Sequence, residues 1–223
     1  MAFNINHKIN EMMFDVAGSG HVLPKTGNIV IKDIFTALQQ NNTEATDRIF
    51  KEDIDYHRAN AGLYLGIAGS IGHTDVIKTM IDNGADINAN AGLGIAKAAA
   101  FNFKDTVNFI LSYSKQDINR ALHATAEKNN VDMFNHLVAN GADITHNNHE
   151  ALKTAVQCKS EDIVKEIILV HRKDPDSNTK EWLSEYGYTD VLKMIEKRDL
   201  NDRLQAKHQP KPAKKTKGLT LKI

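Results

Sequence analysis

A recurrence of aspartate at intervals close to thirty residues constrains this chain more than any other feature. Asp75, Asp105, Asp132, Asp162 and Asp190 follow one another at spacings of 30, 27, 30 and 28, with Ala45 as a weaker first member 30 residues ahead of Asp75. After each Asp, apolar residues fall at the first, second, fifth and sixth positions. The sets are Val76/Ile77/Met80/Ile81, Met133/Phe134/Leu137/Val138 and Ile163/Val164/Ile167/Ile168, while the second unit keeps Val107/Ile110/Leu111 with Thr106 at the first position. That spacing draws one apolar stripe along a short helix. The Asp falls near the helix start, where a negative charge meets the positive end of the helix dipole.

A second helix precedes each of these. Seven residues before the Asp stand Ala68, Ala98, Thr125 and Ala155, followed by Gly69, Ala99, Ala126 and Val156. Small residues let two helices approach closely. The joint between the helices carries turn residues, Gly72-His73 and Asn129-Asn130. Beyond the second helix, Asn83-Gly84-Ala85-Asp86-Ile87-Asn88 and Asn140-Gly141-Ala142-Asp143-Ile144-Thr145 supply a Gly suited to a left-handed cap and an Asp suited to open a turn. Each unit therefore reads helix, turn, helix, cap, loop. No unit can bury its stripe alone, so the units must stack. The ends differ: Leu38 and Leu183 stand where the small residue is expected, and Glu196 replaces the last apolar position of the final unit. Ahead of the array, Ile5, Ile9, Met12, Met13 and Val16 share one helical face and are expected to cap the first unit.

Gly-His-x-Asp-Val-Ile at 72–77 with Asn-Gly-Ala-Asp-Ile-Asn at 83–88 resembles the second helix and loop of the ankyrin repeat, and Leu122-His123-Ala124-Thr125-Ala126 resembles its first helix. The resemblance covers about residues 29–198. It implies an all-α, ankyrin-type solenoid of helical pairs, about five to six repeats long with short inter-repeat loops. The expected organisation is a capping helix and loop over 1–28, the repeat array over 29–200 and a basic, flexible tail over 201–223. The family's Thr-Pro pair is missing: Leu63-Tyr64, Leu93-Gly94, Arg120-Ala121 and Glu150-Ala151 stand there. Several units also fall short of the family length, so plain loops replace the usual hairpin fingers as the expectation. At His73 and His123 the resemblance implies histidines that brace loops.

Composition narrows the function. The chain is 41% apolar, enough for a core. Its 28 basic and 28 acidic residues are unevenly placed: residues 203–223 hold seven Lys or Arg and no acid, so the tail is +7 and the body −7. The single Cys158 excludes an intrachain disulfide and, at the end of a first helix, reads as a small packed residue. With no apolar leader and no apolar run of about 20 residues, the expectation is a cytoplasmic protein. No catalytic, cofactor or metal constellation is expected. His146-Asn147-Asn148-His149 offers two imidazoles but no further ligands nearby in sequence, and reads as a polar inter-repeat loop. Gly92-x-Gly94-x-x-Lys97 fits neither phosphate-loop spacing, and its glycines read as turn residues.

The resemblance implies a protein-binding scaffold, an adaptor or inhibitor gripping its target with the concave side formed by first helices and loops. Divergent, Asn-rich arrays of this kind resemble bacterial or phage proteins, for which a role against a host factor is the analogy. The partner-facing candidates are Asn88, Asn90, Lys97, Phe101, Asn119, Arg120, Lys128, Asn147 and Gln157, with Phe101 and Arg120 favoured as aromatic and Arg anchors. Phe101 also reads, and in the first instance, as a packed residue at the joint between helices. The alternative is nucleic acid held through Lys211, Lys214, Lys215 and Lys217 of the tail, without any aromatic residue for stacking on bases.

Overall fold

In the computed structural model, residues 28–208 are described, and among them the fold is all α with no strand. The helices are α1 (Asn28–Gln39), α2 (Thr43–Glu52), α3 (Ile54–Ala59), α4 (Ala61–Ile71), α5 (Thr74–Asp82), α6 (Ala89–Ala100), α7 (Lys104–Tyr113), α8 (Ile118–Glu127), α9 (Val131–Ala139), α10 (His146–Gln157), α11 (Glu161–Lys165), α12 (Ser177–Glu185) and α13 (Thr189–His208), with a π-helical turn over Glu166–Val170. The expected capping helix around Ile5–Val16 and the tail lysines lie outside the described residues. The described residues divide into two compact units, one ending at Ala121 and the other beginning at Leu122.

One backbone device recurs along the chain and defines the repeat. At the end of six first helices a residue turns left-handed: Asn41, Gly72, Asn102, Asn129, Lys159 and Gly187, with φ of 51, 74, 64, 53, 58 and 79°. The next amide then reaches back across the turn: Asn42 to the carbonyl of Ala37 at 2.9 Å, His73 to Ala68 at 3.0, Phe103 to Ala98 at 2.9, Asn130 to Thr125 at 3.1, Ser160 to Ala155 at 2.7 and Tyr188 to Leu183 at 2.7. This is the Schellman closure, which satisfies carbonyls that a helix end leaves bare. Asn tolerates the left-handed region because its short polar side chain bonds locally.

The closure corrects the register of the first unit. The equivalent of Ala68 is Ala37, and that of Asp75 is Glu44, one residue ahead of Ala45. In this register Thr46, Ile49 and Phe50 form the buried stripe. The small residue expected before the joint is therefore present as Ala37, with Leu38 following it. At the other end Leu183 does replace it, fully buried.

In the first unit the stripe residues Ile49, Phe50, Val76, Ile77, Met80, Val107, Ile110 and Leu111 are buried, as are Leu65, Ala68, Ala98 and Ala99 of the first helices. The approach of α4 to α6 is close enough to demand glycine: a Cβ on Gly69 would lie 2.4 Å from the Gly94 carbonyl oxygen. Gly94 itself, 3.2 Å from the Leu65 Cβ by the same construction, is a packing residue and not the turn residue expected from sequence. Asn41 reaches to the next second helix, donating to the Asp75 carboxylate at 3.0 Å and accepting from the Val76 amide at 3.4 Å. His73 donates from Nδ1 to the Leu38 carbonyl at 2.9 Å, a brace of the kind the resemblance implied.

The second unit repeats the scheme. Met133, Phe134, Leu137, Ile163, Val164, Ile167 and Ile168 are buried. Asn129 donates to Asp162 at 2.9 Å and accepts from the Ile163 amide at 3.2 Å. Asp75 and Asp162 therefore serve two purposes, complementing their own helix dipoles and tying to the preceding pair. His123 hydrogen-bonds through Nε2 to Thr154 Oγ1 at 2.5 Å. The fifth pair has one residue too many between Asp162 and its left-handed Arg172 (φ 52°) compared with Asp132 to Gly141. The π-helical turn absorbs it: His171 donates to the Glu166 carbonyl at 2.9 Å and Lys173 to Ile167 at 3.0 Å. Both isoleucines stay inside while Leu169 and Val170 are turned out.

The last helix runs to His208, past residue 200 where the array was expected to end. Asp202 holds Arg172 at 2.5 and 3.1 Å, and the buried Arg198 is held by Asp174 at 2.6 and 2.9 Å, by Asp199, and by the Ile168 carbonyl at 2.9 Å. These bonds hold the Asp174 and Asp202 carboxyls below, and the Arg198 guanidinium above, their ordinary ranges. Cys158, expected to be packed, is exposed, because it occupies the C-cap of α10.

Candidate partner-binding face

The loops that lead into α6 and α10, with the first turn of each helix, are built alike. Each begins with an Asp side chain folded onto its own backbone. Asp86 accepts from the Asn88 amide at 2.9 Å, and Asp143 accepts from the amide and hydroxyl of Thr145, both at 2.8 Å. The Thr145 bonds hold the Asp143 carboxyl below its ordinary range. Three left-handed residues then follow in succession. They are Asn90, Ala91 and Gly92 (φ 54, 51 and 71°) in the first unit, and Asn147, Asn148 and His149 (φ 49, 55 and 58°) in the second.

A left-handed turn of residues other than glycine costs about 1–2 kcal/mol per residue, so it needs support. The turns close on themselves, from the Gly92 amide to the Asn88 carbonyl at 3.0 Å and from His149 to Thr145 at 3.2 Å. A side chain from the following first helix then takes up their outward carbonyls. Arg120 Nη1 donates to the carbonyls of Asn90 and Ala91, the latter at 2.8 Å. Thr179 Oγ1 donates to the Asn148 carbonyl at 3.3 Å, and its own amide is capped by Asp176 at 2.7 Å.

Gly92 is required twice, by its φ and by space: a Cβ there would lie 2.2 Å from that of Asp117. Asp117 tucks Oδ2 beneath this turn, buried and without a hydrogen-bond partner. Burial pushes its carboxyl up against the pull of Arg120. His149 is buried, and burial pushes its imidazole down. Among the described residues no group of three or more His, Cys, Asp or Glu is arranged to hold a metal ion.

The sequence-derived candidates fall on this framework as follows. In the first unit Asn90 is exposed and joined to Arg120 through its carbonyl; Asn88 and Asn119 are half-buried. Lys97 is half-buried on α6, and Phe101 forms its C-cap, also half-buried. In the second unit Asn147 is exposed and donates to Glu150 at 2.9 Å; Lys128 is exposed and pairs with Glu127 at 2.7 Å; Gln157 is exposed at the end of α10. Arg120, favoured as an anchor for a partner, thus has a structural engagement with the Asn90–Gly92 turn. Sequence reasoning missed an aromatic cluster on the last pair: the Trp182 ring lies 5.4 Å from both Tyr186 and Tyr188, with Lys153 Nζ 5.9 Å above it and Tyr186 63% exposed. Its signal was the Trp-x3-Tyr-x-Tyr spacing, which brings the three rings together only through the left-handed Gly187.

Helical pairs closed by Schellman turns, linked by Asp-initiated loops and repeated about every thirty residues define a repeat scaffold. Residues 95–180 match the ankyrin-repeat family model in three copies, over the third to fifth pairs, and this part of the chain belongs to that family. The turns at Asn41, Gly72 and Gly187 extend the same pattern outside the matched residues. No curated protein matches the chain. Ankyrin repeats imply a protein-binding scaffold and are typically non-catalytic. No helix among the described residues is long and apolar enough to cross a membrane.

Proposed function

We propose that this chain is an adaptor or inhibitor that holds a target protein through its first helices and loops. Asn88, Asn90, Lys97, Phe101 and Asn119 supply contacts in the first unit, and Lys128, Asn147 and Gln157 in the second. The observation that supports this reading is the pair of braced left-handed turns. They fix Asn90 and Asn147 at exposed positions before any partner arrives, so little ordering entropy opposes binding. Arg120 acts here as a positioning residue for Asn90.

A photo-crosslinking side chain placed at Asn147, and separately at Lys165 on the second helix, tests the face. Both positions are exposed. Cytoplasm is the lysate to use, as the compartment expected from the sequence. One protein captured from Asn147 and not from Lys165 supports the assignment; capture from Lys165 alone contradicts it. The alternative, nucleic acid gripped by Lys211, Lys214, Lys215 and Lys217, draws its support from the +7 charge of 203–223. It requires binding of duplex DNA that falls steeply with salt and vanishes when 209–223 are deleted.

A further inference from the structure

The helix α3, only six residues long, buries a histidine that nothing in the repeat pattern demands. His57 is 0% exposed and its Nε2 has no hydrogen-bond partner. Its ring stacks on Phe50 at 5.3 Å and meets the edge of Tyr56 at 5.1 Å, while its Nδ1 lies 3.3 Å from the Tyr64 hydroxyl. A neutral imidazole leaves one nitrogen unpaired in this pocket. An imidazolium would put a full charge there, with an Nε2–H that has no acceptor, and a buried charge without a partner is far costlier than a buried neutral group.

The groups facing His57 do not supply that partner. Tyr56 and Tyr64 are phenols whose ionisation burial pushes upward, so both stay neutral. Glu52 and Asp53 attract a proton to the ring from the α2–α3 junction, but both are exposed, and burial outweighs them, holding His57 below its ordinary range. Asp53 is also engaged as the N-cap of α3, accepting from the Tyr56 amide at 3.3 Å. The next residue, Arg58, donates from Nε to the Asn83 carbonyl at 2.8 Å, and its guanidinium lies against Gly84. The helix that inserts His57 therefore also holds the end of α5 and the start of the Asn83–Asn88 loop.

We propose that α3 is an acid-released strap: protonation of His57 expels Ile54–Ala59 from the core and frees the loop that Arg58 holds. Asn88 of that loop belongs to the face proposed above, so release would also loosen a partner there; the release itself does not depend on that reading. The direction follows from linkage. The released state binds the proton at the ordinary histidine value of about 6.5 and the closed state below it. Closure is fully favoured above that value and weakens as pH falls through the closed-state value.

Hydrogen exchange of the full chain at about pH 7.5 and about pH 5.5, corrected for intrinsic rates, tests this with the parent and His57→Phe. In the parent, protection over 54–59 and 83–88 should fall several-fold on acidification, up to a ceiling of about tenfold set by the one pH unit between about 5.5 and the ordinary histidine value of about 6.5. His57→Phe keeps an aromatic ring in the pocket without a titrating group and should show no such loss. Equal loss in both proteins overturns the proposal, as does full protection of 54–59 in the parent at the lower pH. Should His57→Phe fail to fold, the imidazole Cε1–H resonance of His57 in the parent decides. A midpoint below 6.5 that coincides with opening of 54–59 supports the strap; titration at or above 6.5 with 54–59 still protected contradicts it.

Discussion

Asn129 concentrates three functions in one side chain, which makes the pair Asn129→Ala and Asn129→Gly a graded test of how one helical pair is tied to the next. Its φ of 53° is left-handed, its amide group donates to Asp162 at 2.9 Å, and its carbonyl oxygen accepts from the Ile163 amide at 3.2 Å. Each hydrogen bond contributes about 1 kcal/mol net, and the left-handed conformation costs Ala about 1 kcal/mol more than Asn or Gly. Asn129→Ala should therefore lose about 3 kcal/mol and Asn129→Gly about 2 kcal/mol. Urea unfolding followed by circular dichroism, with stability extrapolated linearly, measures both. If the two variants are equally stable, the backbone contribution is absent. If both stay within about 0.5 kcal/mol of the parent, the tie to Asp162 and Ile163 contributes nothing.

Phe134 is 0% exposed at the centre of its stripe, so Phe134→Ala should cost about 3–5 kcal/mol in the same assay; a parent-like midpoint would mean the stripe is misassigned. Gly92→Ala meets both a φ of 71° and a Cβ 2.2 Å from that of Asp117, and should lower the melting temperature by several degrees, about 2–4 °C for each kcal/mol lost. An unchanged melting temperature would show that the turn is not formed. Ending the chain at residue 208 should leave the melting temperature in place, while ending it at 200 removes Asp202 from Arg172 and should lower it measurably; identical melting of the two truncations would contradict the role given to the end of α13.

Much of the fold is legible in the sequence because stacking imposes a strict apolar period on each second helix, and Val76/Ile77/Met80 or Ile163/Val164/Ile167/Ile168 satisfy it without interruption. The first helical pair reads one residue out of register in the sequence because its stripe carries Thr46 and Phe50 in place of aliphatic residues and Glu44 in place of Asp. Only the left-handed turn at Asn41 sets that register. The π-helical turn was hidden because one surplus residue changes neither composition nor apolar order. The candidate face was legible only as a run of polar loop residues. Nothing in Asn90-Ala91-Gly92 or Asn147-Asn148-His149 announces three consecutive left-handed residues, since residues other than glycine visit that region singly and Ala91 rarely adopts it. Their stability comes from Arg120 and Thr179, about thirty residues away, and such support is invisible to a local reading.

Among the described residues six helical pairs follow one another, each broken between its helices at one left-handed residue. Backbone φ measured by NMR coupling constants at Asn41, Gly72, Asn102, Asn129, Lys159 and Gly187 tests it most directly. Lys159 is the most demanding of the six, because lysine has no intrinsic preference for that region. Positive φ at all six positions, with right-handed helical values over the last turn of the first helix before each, is the expected result. A right-handed helical φ at Lys159, carrying α10 unbroken into α11, would contradict it.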